Sequence, residues 1–190
     1  MKIAVLAVQG AFIEHEKVLE SLGAECMELR KKEDLEQDFD GLVLPGGEST
    51  VQGKLIRELG MYEELKRRIE NGLPVLATCA GMILLANEIE GGEQTHLGLL
   101  PAVVKRNAYG RQLGSFYTEG EVKGIGVVPM TFIRAPYIEK VKEDTEVLAE
   151  VDGNIVAVKN KNILALSFHP ELDSDKKIHR YFLNYCQEII

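Results

Sequence analysis

Pro74-Val75-Leu76-Ala77-Thr78-Cys79-Ala80-Gly81-Met82-Ile83-Leu84-Leu85 changes character at its middle. A short apolar, β-leaning stretch ends at Thr78-Cys79, small residues follow, and an apolar helical pattern begins at once. An unbroken apolar run of strand length fits a strand buried on both faces, as in a parallel sheet covered by helices. The junction predicts a tight strand-to-helix turn, the geometry of a nucleophile elbow. Such a turn projects the Cys79 sulfur from the end of a sheet. Its backbone then abuts a helix N-terminus, whose partial positive charge favours a thiolate. Taken alone, a cysteine in apolar surroundings is more often a packing residue. Two further segments shift that balance.

In Ile163-Leu164-Ala165-Leu166-Ser167-Phe168-His169-Pro170-Glu171 an apolar strand delivers an imidazole at its C-terminal end. Pro170 disfavours the helical region for His169 and predicts an extended turn. Residues i and i+2 of an extended chain share a side, so Glu171 can approach the ring, fix its tautomer and stabilise its cation. Cys79, His169 and Glu171 then supply the nucleophile, base and orienter of a catalytic triad. By itself a His-Pro-Glu turn after a strand is as readily a surface turn. In Gly41-Leu42-Val43-Leu44-Pro45-Gly46-Gly47-Glu48-Ser49-Thr50 another apolar strand runs into paired glycines, after which Ser49 or Thr50 can cap a helix. Paired glycines can aim N–H groups outward, as an acyl-transfer enzyme needs for its oxyanion; Ala80, next after Cys79, is the natural second donor. The segment lacks the Gly-Lys-Ser/Thr ending of a phosphate-binding loop, and a plain βα turn is its simplest alternative.

Outward from these segments the first half alternates strand and helix: strands at Lys2–Val8, Ala24–Leu29, Gly41–Leu44 and Pro74–Thr78, helices at Gly10–Leu22, Ser49–Leu59, Met61–Asn71 and Ala80–Glu88. The first helix is read with Ile13, Val18, Leu19 and Leu22 as its apolar stripe. Short strands dominate the second half, at about Ala102–Arg106, Gly114–Tyr117, Gly126–Ile133, Glu146–Val151 and Ile155–Lys159. Asp152-Gly153 marks a hairpin turn, and Ser174–Glu188 reads as a closing helix. The pattern predicts one α/β domain over 1–190, a mostly parallel central sheet flanked by helices, with an antiparallel extension. Ligands of open α/β sheets bind beyond the carboxyl ends of the strands. Gly46-Gly47, Cys79 and His169 all follow apolar strands directly, so they are expected to converge on one edge.

Composition narrows the partners. With 190 residues, 45% hydrophobic and 27% charged, the chain suits one globular domain. A net charge of −8 argues against nucleic acid or an anionic membrane surface as the main partner. The three cysteines, Cys26, Cys79 and Cys186, have no metal-ligand spacing and suit a reducing cytoplasm, so no metal and no disulfide framework is expected. The opening Met1–Val8 is too short for a signal peptide before Gln9-Gly10 and Glu14-His15-Glu16-Lys17 interrupt it, and no stretch approaches the length of a membrane span.

Pro45-Gly46-Gly47-Glu48-Ser49-Thr50, Thr78-Cys79-Ala80-Gly81 and Phe168-His169-Pro170-Glu171 resemble the oxyanion loop, nucleophile elbow and His-Glu pair of class I (triad) glutamine amidotransferases. Val8-Gln9-Gly10-Ala11 with Glu14-His15, Arg106-Asn107-Ala108-Tyr109-Gly110-Arg111-Gln112 and Phe132-Ile133-Arg134-Ala135-Pro136 narrow the resemblance to the glutaminase subunits of pyridoxal 5′-phosphate synthases, over nearly the whole chain. One position departs: Ala77 stands where many members have Gly, two residues before the nucleophile. The resemblance implies a flavodoxin-like sheet and hydrolysis of L-glutamine by Cys79, His169 and Glu171. It implies an oxyanion hole from the N–H groups of Gly47 and Ala80, and a glutamine site at Gly46, Gly47, Glu48, Arg106, Ile133 and Arg134. No cofactor is implied. Ammonia passes to a separate (β/α)₈ synthase subunit in a hetero-oligomeric complex. Rival readings are another triad amidotransferase, a γ-glutamyl peptide hydrolase acting alone, and a catalytically silent binding subunit. Activity on free glutamine separates them.

Overall fold

A computed structural model describes residues 1–106 and 114–189. Its first half runs β1 (Lys2–Leu6), α1 (Phe12–Ser21), β2 (Glu25–Leu29), β3 (Gly41–Leu44), α2 (Ser49–Glu58), α3 (Tyr62–Glu70), β4 (Val75–Thr78) and α4 (Ala80–Leu85). The second half adds β5 (Ala86–Ile89), β6 (Leu100–Lys105), β7 (Ser115–Val122), β8 (Gly126–Ile133), β9 (Tyr137–Val141), β10 (Glu146–Val151), β11 (Asn154–Asn160), β12 (Ile163–Leu166) and α5 (Lys177–Ile189). Short 3₁₀ turns cover Lys32–Glu36 and Pro170–Leu172.

The main sheet has the order β2-β1-β3-β4-β12-β11-β9-β6-β5, with β10 paired to β11. Every pairing from β2 through β12 is parallel, and β12–β11 begins the antiparallel extension. A separate β7–β8 ribbon completes the strands. The all-apolar strands are buried on both faces and split by alternation. Ala4, Leu6, Leu42, Leu44, Val75, Ala77, Ile163 and Ala165 face a core completed by Ile56, Leu65, Ile69 and Met82 of α2, α3 and α4. Ile3, Val5, Val43, Leu76, Leu164 and Leu166 face the other core, against Leu19 of α1, Ile178 and Phe182 of α5, and Met130 and Phe132 of β8. Each such fully buried Leu, Ile or Phe contributes about 1.5–3 kcal/mol.

Four local expectations are corrected. Ile13 is exposed, and the inward stripe of α1 is instead Phe12, His15, Leu19 and Leu22, with His15 and Leu19 fully or almost fully buried. Helix α4 stops at Leu85 rather than Glu88. The Leu97 and Leu99 N–H groups bond the Leu84 and Leu85 carbonyls, and Ala86–Ile89 pairs with β6 instead. The unanticipated β9 lies between β11 and β6. Glu48, not Ser49 or Thr50, is the N-cap of α2, and no side chain caps it. The Asp152-Gly153 hairpin is as expected, with both residues at positive φ (51° and 77°). Among the described residues no helix is long and apolar enough to cross a membrane.

Candidate active site

Parallel register brings the three segments together. Leu44 lies opposite Ala77, and Thr78 opposite Leu166. Pro45-Gly46-Gly47, Cys79 and Ser167-Phe168-His169 therefore leave neighbouring strands at one edge. A cleft of about 430 Å³ opens there, lined by Gly46, Gly47, Glu48, Cys79 and His169. Arg106, Ile133 and Arg134 line it as well, as do Gln9, Ala11, Ser49 and Ile83, which were not among the expected site residues. Ala80 is buried as the first residue of α4, and Glu171 is buried without lining the cleft. The stretch Asn107–Gln112 lies outside the described residues.

Cys79 adopts φ 48° and ψ −104°, a conformation that non-glycine residues hold only when their surroundings enforce it. Its N–H donates to the Leu166 carbonyl (2.8 Å), and its carbonyl accepts from the N–H of Met82 and Ile83 (3.1 and 3.3 Å). The next turn must approach β3 closely: a Cβ on Gly81 would stand 2.0 Å from the Leu44 carbonyl oxygen. Only glycine allows that packing. Ala77 is an ordinary buried strand residue of β4, so the positive φ of the elbow falls on Cys79 and a methyl at position 77 is accommodated.

His169 is anchored by its N–H to the Thr131 carbonyl (2.8 Å). Its Nδ1 lies 2.7 Å from Glu171 Oε1. The expected contact therefore forms, but through a different turn: beyond His169 the chain enters a 3₁₀ turn at Pro170–Leu172 rather than staying extended. Proline suits the first position of such a turn because it has no N–H to satisfy. His169 Nε2 makes no complete hydrogen bond, yet the Cys79 sulfur acts on the ring. Burial opposes the imidazole's charge, but Cys79 and Glu171 outweigh it and lift the pKa to about 10. These two neighbours favour the charged, proton-donating form of an imidazole that lines the cleft. Burial also works against the Glu171 charge; His15 and His169 overcome it and hold the carboxyl below its usual range. The Ile133 carbonyl lies 4.0 Å from the Cys79 sulfur.

The glycine loop is tied down from several sides. The Gly46 N–H donates to Thr78 Oγ1 (3.1 Å), and the Gly46 carbonyl accepts from the Ala11 N–H (3.0 Å). The Glu48 N–H donates to Gln9 Oε1 (2.8 Å), while the buried Gln52 amide donates to the carbonyls of Gln9 and Pro45 (2.9 and 3.2 Å). Gly10 is compelled by the same contact, since a Cβ there would lie 2.0 Å from the Gly46 oxygen. Arg106 forms an ion pair with Glu93 at 2.7 Å. Arg134 holds a positive φ of 44° at the cleft rim. Sequence reasoning missed Thr78 and Gln52 as loop anchors and His15 as a neighbour of Glu171. The one signal was the Glu14-His15 pair beside Gln9-Gly10, which no expected role absorbed.

Comparison with known proteins identifies the family of the chain. Residues 5–188 match the profile of the SNO glutamine amidotransferase family. The chain is 63% identical over 184 residues to a pyridoxal 5′-phosphate synthase subunit PdxT of Desulfitobacterium hafniense, covering 97% of this chain and 92% of that one. It is 57% identical over 191 residues to a protein of the same name from Streptococcus pneumoniae, covering 99% and 98%. A solved structure described as a glutamine amidotransferase superposes with a TM-score of 0.92 at 49% identity, covering 97% of this chain and 98% of that one. The chain belongs to the SNO glutamine amidotransferase family.

Proposed function

We propose that this chain is the glutaminase subunit of a pyridoxal 5′-phosphate synthase, releasing ammonia from L-glutamine for a (β/α)₈ synthase subunit in a hetero-oligomeric complex. The relatives that carry that name match nearly end to end. The observation that carries the chemistry is His169, bonded to Glu171 through Nδ1, influenced by the Cys79 sulfur, and lining one cleft with Cys79 and Gly46-Gly47. The chain acts as one amidotransferase domain in the cytoplasm. Its free cysteines, including the half-buried Cys26, suit that reducing compartment.

In this reading Cys79 Sγ, as thiolate, attacks the side-chain carboxamide carbon of glutamine, and the carbonyl electron pair moves to oxygen. The N–H groups of Gly47 and Ala80 hold that oxyanion. His169 gives its Nε2 proton to the amide nitrogen as the C–N bond breaks and ammonia leaves. Water then attacks the γ-glutamyl thioester, His169 takes up its proton, and glutamate departs as the thiolate is restored. Glu171 fixes the imidazole's tautomer and stabilises its cation. Arg106 and Arg134 serve the substrate's α-carboxylate, Glu48 its α-ammonium group, and the Gly46 and Ile133 backbones its remaining polar atoms. No cofactor takes part.

The Gly46–Gly47 peptide is the natural switch, because the Gln9–Ala11 loop holds it from the neighbouring strand end. Turning that peptide breaks the Ala11–Gly46 hydrogen bond, a net cost of about 1 kcal/mol. A partner that favours the productive conformer by about 3 kcal/mol shifts the active fraction about a hundredfold. Glutamate release at saturating glutamine, with and without the synthase subunit, tests this. Slow hydrolysis alone and an increase near that size on mixing are expected. An unchanged kcat would refute the switch, and no glutaminase in either state would refute the function.

A further inference from the structure

Burial is complete at His15, yet every polar atom of its ring meets a polar atom. Nδ1 lies 3.0 Å from His179 Nε2. Nε2 lies 3.2 Å from Thr78 Oγ1 and 3.3 Å from Glu171 Oε2, the carboxylate oxygen that His169 does not use. Thr78 Oγ1 in turn accepts the Gly46 N–H. One imidazole on α1 therefore touches both halves of the site, the His169–Glu171 pair and the glycine loop. We infer that His15 is a positioning residue, donating from Nε2 to fix the Glu171 carboxylate and coupling it through Thr78 to the Gly46 peptide.

The tautomer follows from electrostatics. A bare Nε2 would set its lone pair against a carboxylate oxygen at 3.3 Å in a water-free site, so the proton belongs on Nε2. Nδ1 then accepts from His179 Nε2, and His179 Nδ1 remains buried without a partner. The ring is held neutral, because burial outweighs the attraction of Glu171 and Glu14, and His169 repels the added charge. His179 is held neutral by burial and by His15, its pKa pushed down to about 3. A neutral donor suits the role. It lies against Glu171 Oε2, which has no complete hydrogen bond of its own, without supplying a second cation to compete with His169 for the carboxylate. It also opposes rotation of the carboxylate away from His169, because one oxygen is bonded to His169 and the other lies 3.3 Å from His15 Nε2.

The inference rests on Glu171 belonging to the triad, and the test separates the two. Glutamine hydrolysis is measured in the complex with the synthase subunit for His15→Leu, His15→Gln, His15→Asn, Glu171→Gln and the double variant His15→Leu/Glu171→Gln. Urea unfolding is followed for each. His15 does not line the cleft, so kcat should fall and KM should hold. Leu should lose about thirtyfold in kcat, the scale of one hydrogen bond to a charged group. Gln, whose amide reaches the Nε2 position, should recover to within about fivefold of wild type, whereas Asn, reaching only the Nδ1 position, should resemble Leu. In the Glu171→Gln background, His15→Leu should cost less than about threefold, because the two residues act as a unit. Wild-type kcat in His15→Leu, equal loss in Gln and Asn, or an undiminished loss in the Glu171→Gln background would each overturn the inference. The Gln–Asn comparison decides it alone if Leu does not fold. Wild-type activity in Glu171→Gln would remove the triad reading and this inference with it. A damaged Glu171→Gln beside an unaffected His15→Leu would remove only the inference.

Discussion

Replacing Gly46 with alanine tests the site's geometry more sharply than replacing a reacting group. Gly46 is not at positive φ, so alanine adopts its backbone without strain and only the added methyl acts. That methyl would stand 2.4 Å from His169 Cε1 and 3.0 Å from Nδ1. Ordinary contact begins near 3.4 Å, so the ring must retreat by about 1 Å, and a misplacement of that size at a reacting group costs about a hundredfold in rate. The ring is held by Glu171 at Nδ1 and by its own backbone, so the strain shows in catalysis before it shows in folding. Gly114→Ala serves as the control, because a methyl there meets nothing within 4 Å among the described residues. Steady-state glutamine hydrolysis in the complex, with thermal unfolding alongside, is the assay. Gly46→Ala should lose about a hundredfold in kcat, while Gly114→Ala stays near wild type. A Gly46→Ala rate within about threefold of wild type would refute the reasoning, since the loop and the imidazole would then not be in contact.

Loss of His169 should be nearly as damaging as loss of Cys79, because His169 handles a proton in both half-reactions; Glu171→Gln should be milder, and single-turnover rates for His169→Asn and Glu171→Gln decide this. The raised pKa of His169 also has a signature in stability. Its folded value of about 10 exceeds the ordinary 6.5, so the stabilisation is full below about pH 6.5 and is lost as pH rises through about 10. Urea unfolding of wild type and His169→Asn at pH 6, 8 and 10 should show the gap shrinking as pH rises; a constant gap would contradict the charged pair. Arg134→Ala should raise KM for glutamine by about tenfold or more with a smaller change in kcat, as a lost carboxylate contact does; an unchanged KM would place the α-carboxylate elsewhere.

The half of the fold that carries the chemistry was readable because its strands are continuous apolar runs, each ending in a residue of distinctive chemistry. Leu44-Pro45-Gly46, Thr78-Cys79 and Phe168-His169 mark the same sheet edge three times. Parallel pairing in register then leaves little choice about where they meet. Other features were hidden for definable reasons. His15 counts as polar in any hydropathy pattern, so the stripe of α1 was drawn through exposed Ile13, although His15 and Leu19 have helical spacing. The charged Glu139 and Lys140 masked β9, which is held by its neighbours on both sides more than by its own composition. The end of α4 depends on Leu97 and Leu99, more than ten residues away, and no local signal announces them. The turn after His169 was misread because Pro170 constrains the residue before it and also starts a 3₁₀ turn well; both satisfy the contact with Glu171.

The account stands on Cys79 as the nucleophile toward the glutamine carboxamide. The most direct measurement is peptide mapping by mass spectrometry after the complex reacts with an electrophilic glutamine analogue, with free glutamine as competitor. Cys26 and Cys186 are the internal controls, since burial pushes both thiols up to about 12. The account predicts a covalent adduct on Cys79 alone, suppressed by glutamine and matched by loss of glutaminase activity. Modification of Cys26 or Cys186 in step with inactivation, or inactivation with Cys79 unmodified, would contradict it.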